Sequence, residues 1–382
     1  MSVFSYPDSD ACLDAALQRG EPDTHACVSV GRPWRAGADT LDVHYQISPA
    51  EPFRLDAHLN GIRVPLDQPL KLLPVTVNKP WGHETWYSGI EARGESSIQA
   101  EHGTLPLLSY LALAPRRLCG RQPPVLLKTL SSRPEPVLGE LYFEIHEHKQ
   151  EVYVVTEVDE RVYADGAGAI RFGMNQELRA RYDNDQAFRD AFLAAVKSYE
   201  RDESASGAGE NSSATRQQML AFIHLETLRR GDVIVVPSGV PHSLQPGLTV
   251  LEFQTPSFER QIIYASQPVL TQTGWDSSSA IAQMSLEPPQ PPLPASHPDP
   301  AIASFKEFGV RRISVNADGD QLLPAGLPYA ICVAVEDAIS ITCARGTLRL
   351  AKGEAAFIPG SAQRVAFSAP RPAQLLLSGP GL

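Results

Sequence analysis

Cysteine is scarce and scattered in this chain. Its five cysteines (Cys12, Cys27, Cys119, Cys332 and Cys343) are odd in number and far apart, with no C-x-x-C pair. That excludes a disulfide framework and a thiolate zinc site, and it fits a reducing cytoplasm. Long basic runs are missing too: 44 acidic against 33 basic side chains leave a formal charge of −11, so no nucleic-acid partner is expected. Nowhere do 18 apolar residues run together, and the first residues carry no basic stretch followed by an apolar one. Neither a membrane span nor export is therefore expected. The chain has no G-x-x-x-x-G-K or G-x-G-x-x-G element, which argues against a nucleotide cofactor.

What is abundant is punctuation. With 33 prolines and 27 glycines in 382 residues, the apolar runs are short, as in "LDVHYQI", "EVYVVTEV", "GDVIVVP", "LTVLEFQ" and "ISITCA". This spacing predicts an all-β sandwich or barrel, and the length allows two or three folding units. One segment departs from the pattern. Between Asn175 and Arg201, Phe188, Phe192, Leu193, Val196 and Tyr199 recur at helical spacing, which predicts a helical insertion over about 174–222. Residues 203–214, "ESASGAGENSSA", lack apolar anchors and are expected to form a flexible loop. Residues 286–300, "LEPPQPPLPASHPDP", are too rich in proline to join a central sheet and are expected to form a stiff linker.

These features divide the chain into an N-terminal β-rich extension or cap (1–74), a middle unit (75–285), the linker (286–300) and a C-terminal unit (301–382). The last unit partly repeats the middle one. "LRRGDVIVVPSGVPHSL" has Gly231, an acid, four further residues, Pro237 and then His242 five places on. "LAKGEAAFIPGSAQRVA" repeats Gly353, an acid, four residues and Pro359, but carries Arg364 where the histidine would fall. The second copy keeps the turn chemistry and loses the imidazole.

The chemistry gathers in "FEIHEHKQEVYVV". Alternate side chains of a strand share a face, so His146 and His148 are expected to point together into a barrel. Glu151 would face outward if that strand continued, so a turn is expected near Lys149 and Gln150, with Glu151, Tyr153 and Val155 lining the next strand. His242 reaches the same wall from its own turn. Three imidazoles and one carboxylate suit Zn²⁺, Mn²⁺ or Fe²⁺ and leave room for water or substrate.

Together these motifs resemble the cupin superfamily, a double-stranded β-helix or jelly-roll barrel, and more narrowly the type I phosphomannose isomerases. The resemblance rests on "KQE" (Lys149, Glu151) as the Lys-x-Glu element, on Leu228 to His242 as "L-x-x-G-D-x-x-x-x-P-x-x-x-P-H", on Glu252 and Arg260 in "VLEFQTPSFER", and on "NKPWGHETWYSG" (78–89), and it covers about 75–382. Where the family has Gln-x-His, a long loop and then Lys-x-Glu, this chain runs from His-x-His straight into Lys-x-Glu. The resemblance implies one metal-binding cupin domain, here the middle unit, and one degenerate C-terminal cupin domain. It also implies one divalent metal ion, Zn²⁺ before Mn²⁺ or Fe²⁺, on His146, His148, Glu151 and His242.

The activity implied is aldose–ketose isomerisation of a sugar phosphate, mannose 6-phosphate to fructose 6-phosphate or a close relative. Proton transfer between neighbouring carbons needs a base and a stabiliser of developing oxyanion charge. By resemblance Arg260 sits beside that charge, and Lys149 contacts substrate or assists proton transfer. Glu252 interrupts an apolar strand, where burial raises a carboxyl toward a base's useful range; alternatively it orients Arg260 or a histidine ligand. Lys128, flanked by apolar residues, is a candidate for the substrate phosphate, and Trp81 for stacking on a sugar face. His83, His102 and His224 have no partner spacing and are expected to be structural or exposed. Two other functions use the same residues: a cupin oxygenase with iron or manganese, and a sugar-binding cupin without turnover.

Overall fold

The computed structural model describes residues 9–32, 34, 36–48, 53–206, 214–265, 271–316 and 321–382. Antiparallel strands dominate, because the apolar runs between proline and glycine are strand-length. The chain forms two compact units: one contains the chain up to Val77 with Thr85–Lys128 and Asp299–Leu382, the other Asn78–Glu84 with Thr129–Pro298.

This division differs from the one drawn on the sequence. Residues 1–74 do not stand alone, because the strand Leu70–Leu73 is built into a sheet with strands of the C-terminal segment. It lies between Ser97–Ala100 and Ala355–Pro359 in an eight-stranded sheet, with Lys71 opposite Ala356 and Leu70 opposite Phe357. Lys71 Nζ adds an ion pair to Glu354 at 2.5 Å. A four-stranded antiparallel sheet precedes it in the chain, formed by Asp23–Gly31, Ala38–Ser48, Arg54–Leu59 and Ile62–Pro65. On its two longest strands, period-2 alternation buries Val28, Val30, Val43, Tyr45 and Ile47 on one face and leaves the polar residues outside.

The two repeated elements adopt the same turn. Gly231 and Gly353 have φ of 87° and 81°, the left-handed region glycine enters without steric penalty. Each leads into a buried strand, Val233–Val236 and Ala355–Pro359. Arg364, at the place of His242, is exposed, so the second copy has kept the scaffold alone.

In the second unit two sheets face each other. One orders Ile223–Leu228, Gly168–Met174, His242–Leu244, Phe143–Ile145 and Gln261–Ile263; the other contains Val233–Val236, Glu151–Val158 and Leu248–Gln254 as neighbours. Between them lies a core that includes Trp81, Tyr153, Val155, Phe172, Ile234, Val236, Leu244, Val250 and Ile262. The helical insertion comprises Gln176–Arg179, Asp185–Ser206 and Ala214–Leu220. Asn175 and Asn184 cap two of its turns, their side-chain oxygens accepting from the N–H groups of Leu178 and Ala187 at 3.1 and 2.9 Å.

The long helix packs Phe188, Phe192, Val196 and Tyr199 against Phe143, Ile145 and Met174, each phenylalanine contributing about 1.5–3 kcal/mol of burial. Of the loop expected at 203–214, the helix runs on through Ser206, the next helix begins at Ala214, and 207–213 lie outside the described residues. The proline-rich segment is docked, not free. Leu293 exchanges two main-chain hydrogen bonds with Val233, at 2.8 and 2.9 Å, at a residue that still has an N–H to give. No helix among the described residues is long and apolar enough to cross a membrane.

Candidate metal centre

The strand Phe143–Ile145 separates two environments. Phe143 and Ile145 face the helices, so alternation turns Glu144 and His146 inward. Glu144 lies opposite His242 in the antiparallel pair. The strand ends at Ile145 and the chain bends at Glu147 and His148. This corrects the expectation for His148: once the extended backbone stops, alternation no longer applies, and its side chain is exposed. Glu144, two residues before His146, takes the inward place that the His-x-His spacing assigned to His148.

The bend returns Lys149 and Glu151 to the interior. Glu151 opens its strand opposite Val236 and Gln254, and Tyr153 lies opposite Glu252, so Glu151, Tyr153 and Glu252 share one face. His242 is delivered by the turn after Val236, where Gly239 N–H donates to the His146 carbonyl at 2.7 Å and Gly173 N–H to that of Pro241 at 2.8 Å.

The side chains converge. Glu151 lies 3.4 Å from His146 Nε2 through Oε1 and 3.1 Å from His242 Nε2 through Oε2. Glu144 Oε1 is 3.8 Å from His146 Nε2, and ligand atoms of Glu144, His146 and His242 all lie within 4.8 Å of one another. Lys149 Nζ and the Tyr153 hydroxyl reach Glu151 at 2.5 and 2.6 Å. His146, Glu151 and His242 are at most 2% exposed.

This donor set fits a divalent cation. His146 Nδ1 lies 2.8 Å from the Glu259 carbonyl and His242 Nδ1 3.0 Å from that of Val240. Both Nδ1 atoms are thereby donors, and both Nε2 lone pairs are aimed at carboxylates. Two acceptors 3.1–3.4 Å apart repel unless a proton or a metal ion lies between them. Donors about 2.1 Å from one tetrahedral ion are spaced about 3.4 Å apart. His146 Nε2 and Glu144 Oε2 are buried without hydrogen-bond partners, orphans of the kind an ion satisfies. The charges of the site act strongly on one another. Burial pushes the Glu151 carboxyl up, but Lys149, His146 and His242 outweigh it and hold the group well below its ordinary range. Burial pushes the His242 imidazole down, while Glu151 and Glu144 more than reverse this. The Tyr153 phenol is pushed well above its ordinary value, by burial first and then by Glu151 and Glu252.

The other sequence candidates fall into two groups. Glu252 is 1% exposed beside Tyr153. Arg260 places Nη1 3.8 Å from Glu144 Oε2, donates from Nη2 to Thr271 at 3.0 Å, and lies 5.0 Å from the Tyr142 ring centroid. Glu252 thus neighbours Tyr153, and Arg260 neighbours Glu144. Trp81 and Lys128 are also buried. Trp81 is a core side chain, 3% exposed among Leu130, Tyr142 and Phe172, and Lys128 is buried in the other unit with Nζ 5.6 Å from the Trp86 ring. His83, His102 and His224 are exposed, as expected. The inward carboxylate of Glu144 went unread in the sequence, although period-2 alternation counted backward from His146 points to it.

No family profile matches this chain, and no curated protein matches it by sequence. Solved structures do. A mannose 6-phosphate isomerase from Bacillus subtilis is 15% identical, with 82% of this chain and 99% of that one covered and a TM-score of 0.59. A variant of phosphomannose isomerase from Salmonella typhimurium is 14% identical over 82% and 100%, TM-score 0.60. A mannose 6-phosphate isomerase solved with zinc bound is 14% identical over 82% and 100%, TM-score 0.59. At these identities the likeness is one of fold: an all-β, cupin-type architecture with a helical insertion.

Proposed function

We propose that this chain is a divalent-metal-dependent aldose–ketose isomerase acting on a sugar phosphate, with mannose 6-phosphate and fructose 6-phosphate as the preferred pair and Zn²⁺ as the preferred ion. The observation that carries this reading is the buried meeting of His146, Glu151 and His242, with Lys149, Glu252 and Arg260 around them. The fold shared with mannose 6-phosphate isomerases supports it. Five free cysteines agree with work in a reducing cytoplasm.

His146, His242 and Glu151 would hold the ion, and Glu144 adds a second carboxylate within reach. When bound, the ion supplies positive charge to adjacent sugar oxygens. The remaining steps belong to the chain. Glu252 removes the proton from C2 of the open-chain aldose and returns it to C1 while the hydroxyl proton passes from O2 to O1, and the carbon-to-carbon transfer suits a buried carboxylate. The Arg260 guanidinium stabilises the negative charge that develops on oxygen in the enediol intermediate. Lys149 contacts the substrate hydroxyls while its ammonium remains against Glu151, and the Tyr153 hydroxyl fixes the second oxygen of that carboxylate.

Elemental analysis of the purified protein, followed by an isomerase assay with the identified metal across hexose and pentose phosphates, tests the reading. No turnover of any of them by metal-loaded protein would overturn it. A donor set of two imidazoles and two carboxylates also accommodates Fe²⁺ or Mn²⁺. Iron or manganese together with oxygen consumption would replace the isomerase by an oxygenase. Sugar binding without turnover would make it a binding protein.

A further inference from the structure

The bend between His146 and Glu151 carries both ends of the metal cluster on four intervening residues, and it has no regular secondary structure of its own. A single side chain gathers its main-chain donors. The Glu259 carboxylate accepts the N–H of Glu147, that of His148 at 2.9 Å and that of Lys149 at 3.1 Å. Three successive N–H groups turned onto one anion form a concave nest, a strong arrangement for a carboxylate. The main-chain carbonyl of the same residue is the acceptor for His146 Nδ1.

The segment around Glu259 latches the bend elsewhere as well. Thr255 N–H donates to the Gln150 carbonyl at 3.1 Å, and Gln261 Nε2 donates to Glu147 Oε1 at 2.8 Å. Glu259 is the point where these contacts meet, and its chain neighbour is Arg260.

We infer that Glu259 is a positioning residue for the metal centre: its carboxylate, folded into the 147–149 bend, fixes the His146 ring and the Lys149–Glu151 pair in the arrangement that holds the ion. Resting on the metal-centre reading above, it adds a residue that touches neither ion nor substrate. Without the carboxylate three neighbouring N–H groups lose their acceptor together, and the bend reorganises at both of its ends. A carboxamide in its place offers one neutral oxygen and brings an N–H₂ group toward three donors.

The test measures Zn²⁺ dissociation constants by chelator competition, together with the visible absorption of the Co²⁺-loaded protein, for Glu259→Gln, Glu259→Ala and His242→Ala. The expectation is a roughly 10- to 100-fold weaker Zn²⁺ affinity for both Glu259 variants. A changed Co²⁺ band should accompany it, with the melting temperature of the metal-free protein held near that of wild type. Should Glu259→Ala fail to fold, Glu259→Gln carries the comparison. Affinity within twofold of wild type and an unchanged Co²⁺ band would overturn the inference. His242→Ala separates the two levels: if it binds Zn²⁺ as wild type does, the metal-centre reading itself falls. If it loses Zn²⁺ while the Glu259 variants do not, only the role of Glu259 falls.

Discussion

Glu144 and His242 stand directly opposite each other across an antiparallel strand pair, and this one register places a carboxylate and an imidazole from segments almost a hundred residues apart on the same inner wall. Slipping either strand by one residue would turn that strand's own side chain to the opposite face of the sheet.

Metal content should therefore follow the inward residues alone. Replacing His146 or His242 by alanine is expected to remove the bound ion from purified protein, whereas His148→Ala should retain it in full. Elemental analysis of the three variants checks this, and loss of metal in His148→Ala would show that the bend closes inward.

Glu252→Gln should separate binding from turnover. The substitution preserves size and buried packing while removing the carboxylate proposed as the base, so metal content and sugar-phosphate affinity should stay near wild type while kcat falls by about 10²- to 10⁴-fold. A kcat within threefold of wild type would assign the proton transfer to another group.

Asp67 gives the other unit a pH signature. Its carboxyl is pushed up to about 6, by burial first, despite Arg345 3.6 Å away. A folded-state pKa above the unfolded value means that the folded form holds the proton more tightly, so stability falls as pH rises from about 4 through 6. The full loss by pH 7 is on the order of 1–3 kcal/mol. The paired carboxylates with lowered values act in the opposite sense, but only in more acidic solution. Denaturant unfolding at pH 5 and pH 7 should show the decline in wild type and a smaller one in Asp67→Asn; equal declines would refute the assignment.

Gly173 should resist substitution. It sits at φ 74°, and a Cβ there would approach Pro289 Cδ to 2.7 Å. Alanine must strain the backbone and displace the proline segment, at a cost of about 1–3 kcal/mol. Thermal unfolding should fall by several degrees; an unchanged midpoint would mean that the segment yields freely.

Much of this was legible in the linear chain. The helical insertion is written in Phe188, Phe192, Val196 and Tyr199, because a 3.6-residue apolar period has few other solutions. His242 follows from a glycine and proline grammar that fixes a turn. His148 was misread because alternation holds only while the backbone stays extended, and nothing local marks Ile145 as the strand's last residue.

By itself the sequence determined the element types, the all-β character and the residue kinds available for a metal, since these depend on short-range periodicity and on side-chain chemistry. Only the tertiary structure decided which of them meet. Whether Leu70–Leu73 caps its own unit or completes the sheet beside Ala355–Pro359, and whether Glu144 or His148 faces inward, depends on pairing between distant strands. That choice is set by which edges lack hydrogen-bond partners and which faces remain to be buried, and neither quantity exists until the chain has folded.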